Sequence, residues 1–100
     1  MYNAVRKSDI LRTKSNPAIV SAKLKQLLGN DTKLYISTHK NKKYMVQNPD
    51  GKWIHFGDIN SEDYTYHKDE TRRKNFMTRN AKWRTADTWT PAWLSFHILW

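Results

Sequence analysis

The chain contains no cysteine, so disulfides and thiolate metal sites are excluded, and the composition fits a reducing compartment. Glycine and proline are scarce, three of each, which argues against a collagen-like repeat and against a disordered chain. No apolar run approaches the ~18 residues that crossing a bilayer takes, and no membrane partner is expected. Residues 1–7 lack the apolar stretch of a secretory signal, so secretion is not expected. The four histidines (39, 55, 67 and 97) form no helical pair at metal-binding spacing, and no glycine-rich loop offers a phosphate cradle. Neither a metal nor a cofactor is expected.

Acidic residues are also few. Nine Asp and Glu stand against 18 Lys and Arg, a formal net charge of +9. Such a balance attracts polyanions, and nucleic acid is the commonest of these. The plain alternatives are solubility or an acidic protein partner. One hundred residues suffice for a single domain with one modest core.

Residues 1–14 mix Arg6, Lys7, Arg12 and Lys14 with isolated Val5, Ile10 and Leu11, and read as a loosely attached basic arm, flexible or ordered by a partner. Residues 15–100 form the α+β domain. Its first helix is capped by Ser15 or Asn16, has Pro17 in its first turn and stops before Gly29. Apolar rows Ile19, Lys23, Leu27 and Val20, Leu24, Leu28 give it a packing side. The period then switches to two. Strands are predicted over 33–38, 43–47 and 52–57, joined by a polar turn at 39–42 and by Asn48-Pro49-Asp50-Gly51 as an antiparallel meander. Trp53 and His55 point to one face of the last strand, Ile54 and Phe56 to the other. A basic helix begins near Asp69, with Phe76 and Met77 facing inward and Arg72, Arg73, Lys74 and Arg79 around its rim. Between Ser61 and Arg84 the acids gather first and the bases follow, as a helix dipole favours. Pro91 opens a short apolar helix that Thr90 caps. It is too apolar to sit exposed, so it either enters the core, the favoured reading, or joins a second copy as a homo-oligomer contact.

Four stretches carry a resemblance: Lys52-Trp53-Ile54-His55-Phe56-Gly57, Asp63-Tyr64-Thr65-Tyr66-His67-Lys68-Asp69, Arg72-Arg73 with Arg79, and Leu99-Trp100. Together with the segment from Lys40 onward, these resemble a family of small basic proteins encoded by nucleocytoplasmic large DNA viruses, the giant viruses and their relatives. Ile98 replaces a Leu of the family pattern, and Tyr66 stands where the family often has Lys. The resemblance implies a virion-associated protein, present in host-cell cytoplasmic virus factories during assembly. It supplies no enzymatic activity.

His67-Lys68-Asp69 invites a nuclease reading, with His67 as base and Arg72 and Arg73 as phosphate clamps, but there is no second copy of such a motif. The economical alternative makes Asp69 a helix cap and His67 its partner. Bases interleaved with aromatics point instead to nucleic-acid contact. The candidate residues are Lys40, Lys42, Lys43, Lys52, Trp53, His67, Lys68, Arg72, Arg73, Lys74, Arg79 and Lys82. The expected activity is non-catalytic, largely sequence-independent binding of nucleic acid, duplex DNA above all, in genome condensation or packaging. The alternatives are a minor capsid or inner-virion cementing protein that contacts other virion proteins and, more weakly, a metal-dependent nuclease.

Overall fold

The computed structural model describes residues 6–100. The chain runs through α1 (Lys7–Arg12), α2 (Pro17–Leu28), β1 (Tyr35–Ile36), β2 (Lys42–Gln47) and β3 (Trp53–Asp58). It continues through α3 (Tyr64–His67), α4 (Glu70–Arg79), a 3-10 turn (Ala81–Thr85) and α5 (Pro91–Leu94), which passes into a π-helical turn (Ser95–Leu99). The architecture is α+β, with a three-stranded antiparallel sheet in the order β1-β2-β3.

The register follows the side-chain alternation. Tyr44 lies opposite Phe56 and Val46 opposite Ile54, and these four fill the inner face of the sheet. Trp53 remains exposed on the other face, and His55 lies half-buried there. The first strand is shorter than its sequence pattern suggests. Only Tyr35 and Ile36 form β1; beyond them the Ser37 amide still donates to the Lys43 carbonyl (3.1 Å), while its hydroxyl meets His55 Nδ1 (2.7 Å) and accepts from the His39 backbone N–H (3.0 Å) as the chain turns.

Asn16 caps α2 by accepting from the Ala18 and Ile19 amides. Of the two expected apolar rows, Val20 and Leu24 are buried, whereas in the other Ile19 and Lys23 are half-buried and Leu27 stands exposed. Leu94, Ile98 and Leu99 join Val20, Leu24 and Phe56 in one core. The C-terminal helix thus buries Leu94, Phe96, Ile98 and Leu99 within its own chain, in line with the favoured reading. Gly57 explains its place in the Phe-Gly motif. It is buried with φ +82°, and a Cβ there would come within 3.0 Å of Leu99 Cδ1 and 3.1 Å of Lys43 Cβ.

The expectation of a loose arm over 1–14 needs correction. Residues 1–5 lie outside the described residues, but α1 is packed: Leu11 is buried in the core. Lys7 donates from Nζ to the Ser37 carbonyl (2.7 Å) and the His39 carbonyl (2.6 Å), clasping α1 to the turn between β1 and β2. The Lys14 carbonyl accepts from the Asp63 amide at 2.9 Å, and the Ser15 side chain is buried.

Beneath these contacts lies a buried polar chain. Lys43 Nζ sits 2.9 Å from Asp63 Oδ2, and both side chains are 1% exposed. The other Asp63 oxygen accepts from the Thr65 amide and hydroxyl; the Thr65 hydroxyl meets Ser15 Oγ at 3.2 Å, and Tyr44 donates to Ser15 at 2.6 Å. Burial lowers the Lys43 pKa below its ordinary value, and the neighbouring Asp63 carboxylate opposes that shift. Removing one charge strands the other. Asp63→Ala is therefore expected to cost about 3–5 kcal/mol by denaturant unfolding. Lys43→Met with Asp63→Asn, which keeps an acceptor for Thr65 but buries no charge, recovers most of that loss. Equal stability of the single variant and the parent would contradict this account.

Candidate nucleic-acid interface

The stretch from Asp63 to Asp69 builds the corner on which the basic helix stands. Asp63 caps α3 through the Thr65 amide, and the chain leaves α3 through Lys68 in the left-handed region, φ +54°. Asp69 then caps α4 by accepting from the Thr71 and Arg72 amides. His67 Nδ1 accepts from the Asp69 backbone N–H at 2.9 Å and so fixes the residue that caps the next helix. The Tyr64 hydroxyl bonds Glu70 in the first turn of α4. A motif that invites a catalytic reading is thus occupied, residue by residue, with turning the chain.

Helix α4 has no fully buried residue. It rests on aromatic stacking: Phe76 lies parallel to Trp100 with centroids 4.3 Å apart, and Trp83 meets Phe76 edge to face at 5.9 Å. The His67 ring touches the other end of this group, 5.1 Å from Trp100. Phe76 and Met77 are half-buried, in line with their inward prediction.

The structure divides the predicted site residues. Lys43 is removed from the surface by its pairing with Asp63, and its ammonium cannot reach a phosphate. His67 is likewise withdrawn: Nδ1 is engaged by Asp69, and Nε2 is buried. Arg72 is exposed, but its guanidinium lies 2.7 Å from Glu62, whose carboxyl it holds below the ordinary range. Arg73 donates from Nε to the Trp100 carbonyl at 2.9 Å, lies over the Tyr64 ring and is 3.9 Å from Glu70. The Arg72–Arg73 clamp foreseen from the sequence is therefore largely committed to intramolecular partners. By contrast Lys40, Lys42, Lys52, Lys68, Lys74, Arg79 and Lys82 enter no side-chain hydrogen bond or ion pair among the described residues. Of these, Lys42 is half-buried and the rest are exposed.

Nor do the free cations form one patch. Lys42 pairs with Asp58 at one end of the β2–β3 ladder and Gln47 with Trp53 at the other. At ~3.4 Å per residue the ladder separates Lys42 from Lys52 and Trp53 by roughly 17 Å. Trp53 packs edge to face on Tyr35 at 5.3 Å, and both rings remain exposed on the outer face of the sheet.

Lys42 and Arg79 do line one cleft, of about 840 Å³, that runs between α4, the loop after β3 and the C-terminal helix. Arg72, Asn75, Phe76 and Arg79 present one helical face to it, at spacings of three and four. Trp83, Pro91, Ala92, Leu99 and Trp100 supply its apolar lining, Asp58 and Glu62 its carboxylates. Asn75 and Trp83 were missed as site residues from the sequence. The face spacing of Arg72, Asn75, Phe76 and Arg79 was a usable signal for Asn75, and the spacing of four between Arg79 and Trp83 was one for Trp83.

Residues 32–80, just under half of the chain, match the model of a family described as being of unknown function (DUF5754). The matched stretch runs from the approach to β1 to the end of α4 and takes in the sheet, the corner and the basic helix. No curated protein and no solved structure matches the chain.

Two of the partly buried histidines, His55 and His67, lead to an expected sensitivity of the fold to acid. Burial, then the nearby Arg72, lowers the His67 pKa below its ordinary 6.5, despite opposing carboxylates. Burial also lowers that of His55, reinforced by His39, whose ring stacks on it at 3.4 Å, and by Lys7 and Lys42. A depressed histidine pKa means that the unfolded chain takes up the proton more readily. The stability both groups allow is complete above the unfolded value of 6.5 and is lost as the pH falls through their lower folded values. Urea midpoints are expected to fall between about pH 7.5 and pH 5, and His55→Asn with His67→Asn to flatten that segment of the profile. A slope unchanged in the double variant would assign the effect elsewhere.

Proposed function

We propose that the protein is a non-catalytic, largely sequence-independent nucleic-acid-binding protein, with duplex DNA as its main partner. In this reading it acts in the particles of a large DNA virus, aiding genome condensation or packaging. The observation that carries the proposal is the surplus of unpaired cations. Only three ion pairs form among the described residues, and Lys40, Lys42, Lys52, Lys68, Lys74, Arg79 and Lys82 stand outside them. Ammonium groups on flexible stems neutralise phosphates without reading bases, and the counterions they displace drive association. Because these cations are spread over more than one face, they suit contact with several strands or several turns of one duplex. The withdrawal of His67 from solvent weighs against a nuclease, since the group cast as its base has Nδ1 engaged and Nε2 covered.

A cementing role has one observation of its own. Tyr35 and Trp53 are exposed together on the outer face of the sheet, an apolar area that another virion protein would cover. Recovery of the protein with DNA-free capsid shells would favour that role.

With about four phosphates neutralised, log K for duplex DNA is expected to fall with log salt at a slope of about −3.6. Lys74→Ala with Arg79→Ala reduces the steepness by about 1.8 and weakens all sequences alike. Affinity indifferent to salt in a titration would overturn the proposal.

A further inference from the structure

The cleft between α4 and the C-terminal helix has features that backbone contact alone does not use. Its volume, about 840 Å³, lies within the ~300–1,000 Å³ of clefts that hold a ligand-sized group. Trp83 stands at its side 37% exposed, at 72° to Phe76, and Phe76 is in turn backed by Trp100. A wide ring with surface left uncovered is a place where a flat heteroaromatic group stacks. Asn75 lies one helical turn from Arg79 on the same face, and its amide enters no hydrogen bond among the described residues. It presents a donor and an acceptor together.

The charges say which part of a nucleotide goes in. Arg72 is neutralised by Glu62 at 2.7 Å, and Asp58 already accepts from the Asn60 amide and the Ser61 hydroxyl. A polyphosphate lying in the cleft would face these carboxylates. Lys42 and Arg79 line the cleft from different elements, one on β2 and one at the end of α4, and neither has a partner among the described residues. A strand lying along the cleft has these two cations for its phosphates, while a base turned inward has Trp83 and Asn75.

We propose that this cleft takes one unpaired base of a single-stranded nucleic acid, stacked on Trp83 and bonded by Asn75, with the adjoining phosphates on Lys42 and Arg79. The proposal rests on the nucleic-acid reading above and refines it: paired bases cannot enter, so a single strand gains a contact that a duplex lacks. An amide that turns to suit donors or acceptors also leaves the site tolerant of base identity.

The test uses fluorescence anisotropy with three labelled probes of equal length at one low salt concentration: oligothymidylate, the same strand made wholly abasic, and a duplex. The base-bearing strand is expected to bind about tenfold tighter than the abasic one, the order of one stacked base. Trp83→Ala and, independently, Asn75→Leu narrow that gap while leaving abasic affinity unchanged. The second variant removes the amide and sets an aliphatic group that cannot stack beside Trp83, from an exposed helical position and without removing packing, so it decides the matter if Trp83→Ala does not fold. Equal affinity for the two strands, or a gap undiminished in Asn75→Leu, overturns the base site and leaves phosphate binding standing. Failure of all three probes to bind overturns both readings.

Discussion

Everything in this molecule is referred to one ion pair out of water. Lys43 on β2 and Asp63 before α3 are 2.9 Å apart at 1% exposure each, and the hydrogen-bonded groups around them reach Thr65, Ser15 and Tyr44. Three separate parts of the chain are fixed by that chain of bonds: the junction of α1 and α2, the middle strand, and the first turn of α3. Each partner on its own would be a costly buried charge, so the arrangement is tolerable only when all three are in place. Such a device contributes specificity of docking more than net stability. It decides where the loop after β3 sits, and hence where α4 begins.

From that anchor the helix is placed by geometry rather than by burial. Two caps, a left-handed lysine and a histidine bonded to the second cap compress the route from α3 to α4 into a single corner. The aromatic ladder of Trp83, Phe76 and Trp100 then supports the helix from below. The cleft is the space left between this ladder and the strand ends, and its polar lining comes from the same segment that makes the corner. Cleft and scaffold share residues here: Arg72 and Glu62 form a neutral pair, while Arg79, two turns further on, enters no ion pair among the described residues.

Much of the fold was legible from the sequence. The switch of period after Gly29 located the sheet, the alternation in β3 assigned its faces, and Asp69 and Thr90, with Asn16 as one of two candidates, marked three helix starts that the structure bears out. The α+β architecture and meander order follow from these signals. What failed did so for tertiary reasons. Lys43 has the sequence character of a surface lysine; only the approach of Asp63, twenty residues away, makes its burial possible. Leu11 sits among bases and polar groups, and no local pattern reveals that the core has room for it. The Arg72–Arg73 pair carried the correct charge, but whether a guanidinium is spent on a neighbour depends on carboxylates and carbonyls that the fold delivers. Asn75 and Trp83 carry no motif, and their juxtaposition exists only once the 3-10 turn folds back on α4.

The absence of any fully buried residue in α4 has a consequence for how the molecule moves. Strands β2 and β3 and the C-terminal helix open only when the whole core does, but α4 is held by caps and ring faces that part at lower cost. The protein thus has two tiers of persistence, and its most cationic helix belongs to the weaker one. A polyanion that grips α4 adds its free energy to the tier that most lacks it. Engagement would then stiffen the part of the molecule that does the gripping, so the free and the loaded protein differ less in shape than in how long the helix stays seated.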